Sequence, residues 1–250
     1  MPAFASLAAA SAVRIASLNL CADEYALLLA RPGELVSVSR LSHDPQESRL
    51  FARARPIPPN RGELEGVIGR RPNVVLTTGG LGRSTAKLAG KLGIETIELP
   101  SPTDIAGVER NLRAVANALG EPRRAEPFLR KIAKLRRTAP QTAREALFLS
   151  GGGVSIGGWS PAAEWMALAG YRQPPGLAEK VSLEQLFAHS PPLLLRSNYR
   201  SGQMSSGQAW FDHPIVRRLE ARTRMVDGRA WTCAGPLMIR EVERMRSLPH

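Results

Sequence analysis

"LEGVIGRRPNVVL" spans residues 64–76, and "LEQLFAHSPPLLL" spans residues 183–195. Both read Leu-Glu, then an apolar residue two places after the Glu (Val67, Leu186), then a proline seven places after it (Pro72, Pro191), then an aliphatic run. A short helix stopped before a proline and followed by a buried strand satisfies this pattern. Proline cannot continue the helix, and a continuous aliphatic run suits a strand covered on both faces. One such unit in each half predicts two structurally equivalent lobes. Each lobe then presents one glutamate, Glu65 or Glu184, near the start of a short surface helix.

Working outward, strand and helix signals alternate in both halves. The first half predicts a strand at 14–18 and a helix at 21–30, with Asp23 and Glu24 in its first turn where the helix dipole favours them. Strands follow at 34–39, 73–78 and 95–100, with a helix at 84–92 entered through "GGLGR" and a long helical region from 102 to 120. "HDPQES" (43–48) and the proline cluster at 56–59 read as loops. The second half repeats the theme, with a strand at 145–149, helices at 160–170 and 182–189, strands at 193–197 and 222–226, and a terminal helix at 235–248. Such alternation predicts an α/β fold of two Rossmann-like lobes with mainly parallel sheets. The boundaries fall at 13–120 for the N-terminal lobe and 141–250 for the C-terminal lobe. Residues 121–140 form a single bridging helix with Phe128, Leu129, Ile132 and Leu135 on its apolar side. Residues 1–12, ending in Ala10-Ser11-Ala12, read as the remnant of a secretory signal.

The chain has 250 residues, of which 43% are hydrophobic, so a packed core is expected and disorder is excluded. Its net charge of +12 points to an anionic partner. The basic residues are scattered in pairs such as Arg70-Arg71 and Arg217-Arg218, with no run of five or more like charges, so no nucleic-acid partner is expected. No stretch approaches the roughly 18 apolar residues that a membrane span needs. The four histidines are widely separated and offer no metal-ligand spacing. "GGLGRS" and "GGGVSIGG" lack the closing residues of phosphate-binding loops and read as strand-to-helix turns. No G-x-S-x-G supports serine catalysis. No catalytic residue, resident metal or cofactor is expected.

In open α/β lobes ligands collect at the carboxyl ends of the strands. That rule selects Asn19, Cys21 and Arg83 in the first lobe, and Trp159, Tyr199, Arg200 and Trp231 in the second. Tyr199 and Arg200 lie in the long polar loop "RSNYRSGQMSSGQAW" (196–210), and suit an anionic chelate through hydrogen bonding, stacking and charge. Cys21 and Cys233 fall at the expected cleft edges, one per lobe. They are read first as inert thiols, with a bridge and metal ligation as alternatives.

The order of "RIASLNLCADEYALLLA", "LEGVIGRRPNVVL" and "VSLEQLFAHSPPLLL" resembles the periplasmic binding proteins of ABC importers for vitamin B12 and ferric siderophores, over nearly the whole mature chain. Asn73 stands where that family usually has Asp. The resemblance implies a helical backbone between two lobes, a periplasmic location, monomeric state, and delivery of a metal chelate to an ABC permease without chemistry. It also implies that Glu65 and Glu184 meet arginines of the permease. The aromatic residues that vitamin B12 members place before each Leu-Glu unit have no counterpart in "PIPPN" (56–60) or "GLAEK" (176–180). A ferric siderophore or other iron chelate is therefore expected, with a corrinoid or haem next. The alternative is a metal chelatase-like enzyme on a similar bilobed fold.

Overall fold

The computed structural model describes residues 13–157, 160–177, 179–202, 205–219 and 222–248. The expected signal remnant and Trp159 lie outside these residues. The N-terminal lobe runs β1 (Ile15–Ser17), α1 (Leu20–Leu29), β2 (Leu35–Ser39), α2 (Phe51–Ala54), β3 (Pro59–Asn60), α3 (Glu65–Ile68), β4 (Val74–Thr78), α4 (Arg83–Lys91), β5 (Glu95–Leu99) and α5 (Ile105–Ala118). Its five strands pair in parallel in the order β3-β2-β1-β4-β5. β1 and most of β4 are buried, as parallel strands covered on both faces must be.

The bridge differs from one uninterrupted helix over 121–140. A 3-10 turn at Pro122–Ala125 precedes α6 (Glu126–Arg137), because Pro122 and Pro127 both withhold a backbone donor near its start. Arg124 holds this corner, donating to Glu34 and Glu121. Leu129, Ile132 and Leu135 are the buried face of α6, as the sequence predicts.

The C-terminal lobe runs β6 (Arg144–Glu145), β7 (Leu147–Leu149), α7 (Ala162–Leu168), β8 (Tyr171–Arg172), α8 (Leu183–Ala188), β9 (Leu194–Ser197), α9 (Ser206–Ala209), α10 (Pro214–Arg217), β10 (Thr223–Val226), α11 (Gly228–Cys233) and α12 (Met238–Arg246). β6 pairs with β8, while β7 pairs with β9 and β9 with β10, all parallel. One chain run changes partner at Ala146, whose N–H bonds Arg172, while Leu147 bonds Leu193. β3, which begins inside the expected proline loop, and α2, β8, α9 and α10 are additions to the predicted elements, as is α11. α11 is separated from α12 by Ala234 in the left-handed region (φ 46°).

Both Leu-Glu units form as expected. Val67 and Leu186 are buried, each in a small apolar cluster between its own sheet and its own glutamate helix. A third and larger core is continuous from α1 through α5 and α6 to α7 and α12. The lobes therefore share apolar packing as well as a bridge.

Candidate functional site

The carboxyl ends of β7, β9 and β10 open onto a cavity of about 310 Å³. Phe148 and Trp231 form one wall, their rings tilted by 31° with centroids 4.5 Å apart. Tyr199 and Ser197 come from the end of β9, and Ser150 from the end of β7. Among the described residues no charged side chain lines the cavity. Ser155, Ser160 and Thr232 are among its polar lining residues.

The local chain path explains how Tyr199 reaches this wall. Asn198 bonds the end of β10 through its N–H to Val226, and its side chain accepts from the N–H of Gly228 at 3.1 Å. Gly228 packs directly on that loop, and a Cβ there would meet Ser197 Oγ at 2.0 Å. Only glycine allows β9 and β10 to end so close together.

Tyr199 is fixed from the other lobe. Its hydroxyl donates to Glu47, and the guanidinium of Arg200 donates to the same carboxylate. Glu47 is 3% exposed and lies in the "HDPQES" loop after β2. Burial and the adjacent carboxylate both raise the Tyr199 hydroxyl above its ordinary range, so it stays protonated and donates. Four further ties cross the same seam. Cys21 and Cys233 form a disulfide with Cα atoms 5.4 Å apart. Arg229 donates to Pro45 O at 2.8 Å. Arg49 lies 3.2 Å from Asp227 and 3.5 Å from Glu241. Glu24, buried in α1, accepts from the N–H of Leu237 at 2.7 Å, and burial pushes its carboxyl up to about 8.

The residues selected from sequence therefore divide. Tyr199 and Trp231 line one cavity, and Trp159 lies outside the described residues. Arg200 lies beside the cavity with its charge matched by Glu47. Asn19 caps α1 and donates to Thr77 and Thr78, tying β1 to β4. Arg83 is exposed at the first turn of α4. The expectation of inert thiols is corrected: Cys21 is bonded to Cys233, so neither sulfur is a free thiolate for a metal. Glu65 and Glu184 are both exposed. Sequence reasoning missed Glu47 and Phe148. Glu47 was open to the same carboxyl-end rule, since its loop follows the second strand. Phe148 sits inside a strand and carries no such signal.

Among the described residues no group of three or more acidic, histidine or cysteine side chains is placed to hold a metal ion. No helix of the described residues is long and apolar enough to cross a membrane.

A search of curated proteins returns no match in sequence. Solved structures share the fold. The apo form of the periplasmic haem-binding protein RhuT from Roseiflexus sp. RS-1 aligns over 94% of this chain and 97% of its own, at 22% identity and a TM-score of 0.71. The periplasmic haem-binding protein HutB of Vibrio cholerae aligns over 95% and 98%, at 20% identity and 0.72. The periplasmic vitamin B12-binding protein BtuF of Vibrio cholerae aligns over 94% and 95%, at 19% identity and 0.67. The family model described as periplasmic binding protein matches residues 15–222, which is most of both lobes, and the chain belongs to that family.

Proposed function

We propose that the chain is the periplasmic binding component of an ABC importer for a metal chelate, and that it carries out no reaction of its own. The observation that carries this reading is the uncharged cavity at the carboxyl ends of the C-terminal strands, walled by Trp231, Phe148 and Tyr199. The haem- and vitamin B12-binding descriptions of proteins with the same fold support it. At about 310 Å³ the cavity sits at the lower end of ligand sites, which run from about 300 to 1,000 Å³. It holds one face or edge of a larger cargo, with the remainder in the seam.

The wall chemistry ranks the cargoes. A polyanionic ferric siderophore needs unmatched cations, and Arg200 is already paired with Glu47. A tetrapyrrole presents a flat apolar face to the Phe148 and Trp231 rings and needs no charge there. Haem or a corrinoid therefore suits the cavity better than the siderophore favoured by sequence alone. Glu65 and Glu184 act as the docking pair for arginines of the permease, one per lobe.

Titration with haemin, cyanocobalamin and several ferric siderophores, followed by tryptophan fluorescence and calorimetry, tests the reading. The expected result is one saturable tetrapyrrole cargo at micromolar affinity or tighter, with quenching through Trp231. Exclusive binding of a siderophore overturns the ranking, and no binding across the panel overturns the transport reading.

A further inference from the structure

Away from the cargo cavity, a second hollow of about 450 Å³ opens where the N-terminal lobe, the bridging helix and the C-terminal lobe meet. Its floor is apolar. Leu50, Leu237 and Ile239 are buried there, and Leu28 and Phe128 are half-buried beside them. Among the described residues its lining carries four cations, Arg49, Arg53, Lys131 and Arg240, and no acidic side chain. Two of the four are already engaged. Arg49 is matched by Asp227 and Glu241, and Arg53 donates to Leu27 O at 3.1 Å. Lys131 on α6 and Arg240 on α12 have no carboxylate within ion-pair distance among the described residues.

We propose that this hollow binds a small amphiphile with one anionic head and a single saturated chain. The head lies between Lys131 and Arg240, and the chain covers the floor. The combination of surfaces decides the class. The half-buried Leu28 and Phe128 leave apolar surface that a small hydrophilic anion does not cover, and an uncharged apolar molecule makes no use of the exposed Lys131 and Arg240. An amphiphile uses both. The hollow is rigid enough to select, because its walls are fastened by ties that cross the lobes. The N–H of Leu237 is held by Glu24 at 2.7 Å, and Arg49 is held by two carboxylates. The inference is independent of the cargo reading, since none of these side chains lines the cargo cavity.

Calorimetric titration of the whole chain with monomeric decanoate, below its micelle concentration, tests the proposal, with 1-decanol as the uncharged comparator. The expected result is saturable one-to-one binding of decanoate, at least tenfold tighter than decanol. Binding should weaken at least tenfold in the double variant Lys131→Glu with Arg240→Glu, while its thermal melt and cargo affinity stay unchanged. Decyl phosphate in place of decanoate distinguishes a phosphate head from a carboxylate, and saturable binding of either supports the site. Equal affinity for decanol, equal decanoate affinity in the double variant, or no saturable binding overturns it. Binding to vesicles of equal phosphatidylglycerol and phosphatidylcholine without binding of either monomer also overturns it, because that outcome reports general surface charge.

Discussion

The two Leu-Glu units share one sentence of sequence and are held in different ways. In both, the apolar residue two places after the glutamate is buried and the glutamate is exposed. The leucine before the glutamate diverges: Leu64 is fully buried, while Leu183 is only half-buried. The polar ties diverge further. α8 starts with a capping box, in which Ser182 accepts from the Gln185 N–H and Gln185 accepts from the Ser182 N–H. α3 has no side-chain cap at its start. It is held at its other end, where Arg14 donates to Arg70 O at 2.7 Å and Arg71 O at 3.0 Å. That grip steadies Arg71, whose φ of 51° is left-handed just before Pro72. Asn73 accepts the Arg14 N–H, a task that an aspartate could equally perform. The repeat thus preserves where apolar side chains go, and leaves each lobe to find its own polar anchors.

Substitutions can break or sharpen this contrast. The largest effect is expected where the lobes are joined. The disulfide closes a loop with a sequence separation of 212, so Cys21→Ser with Cys233→Ser should lower stability by about 5 kcal/mol in chemical denaturation. An unchanged midpoint would show that the shared core alone holds the lobes together. Next, Leu64→Ala should cost about 2–5 kcal/mol, while Leu183→Ala should cost about 1 kcal/mol or less. Equal losses would mean that the two units are equivalent in energy as well as in outline.

A third effect is pH-dependent and belongs to an N-terminal carboxyl buried against the C-terminal lobe. Glu24 is raised from 4.5 to about 8 by burial, so the native state keeps a proton that the unfolded chain releases. Its contribution is full below pH 4.5 and is lost as pH rises through 8. Asp23, pushed up to about 6 by burial against the hydroxyl and backbone donors that face it, has the same sign at lower pH. Stability measured from pH 5 to 8.5 should fall by a few kcal/mol, on the order expected for a carboxyl raised this far. Glu24→Gln should flatten the slope while keeping an acceptor for Leu237. A slope unchanged in that variant would assign it to other groups. The smallest effect is Ser182→Ala, which should cost about 1 kcal/mol through the lost cap. Loss of nothing would place α8 under packing control alone, as α3 is at its start.

The sequence carried the local parts of this structure. Periodicity and proline position placed α3, β4, α8 and β9, and the carboxyl-end rule brought Tyr199 and Trp231 to one cavity. The pairings across the seam were not legible. Nothing in "HDPQES" announces that Glu47 will neutralise Arg200, and the sequence offered the Cys21–Cys233 bridge only as an alternative to inert thiols. Such contacts depend on how the lobes pack, which is set by the shared core of α1, α5, α6, α7 and α12 rather than by any local pattern. For the same reason, Arg200 was legible as a cation and not as a matched one. α11 escaped notice because its six residues, "GRAWTC", are too few to show a helical period.

The most direct test of the cargo site is to fill its mouth. Val154 lines the cavity and is 47% exposed, so Val154→Trp adds bulk without disturbing the core. Affinity for the proposed tetrapyrrole cargo should fall at least tenfold in that variant, with the melting temperature unchanged. Wild-type affinity in a folded Val154→Trp protein would contradict the assignment of the C-terminal cavity as the cargo site.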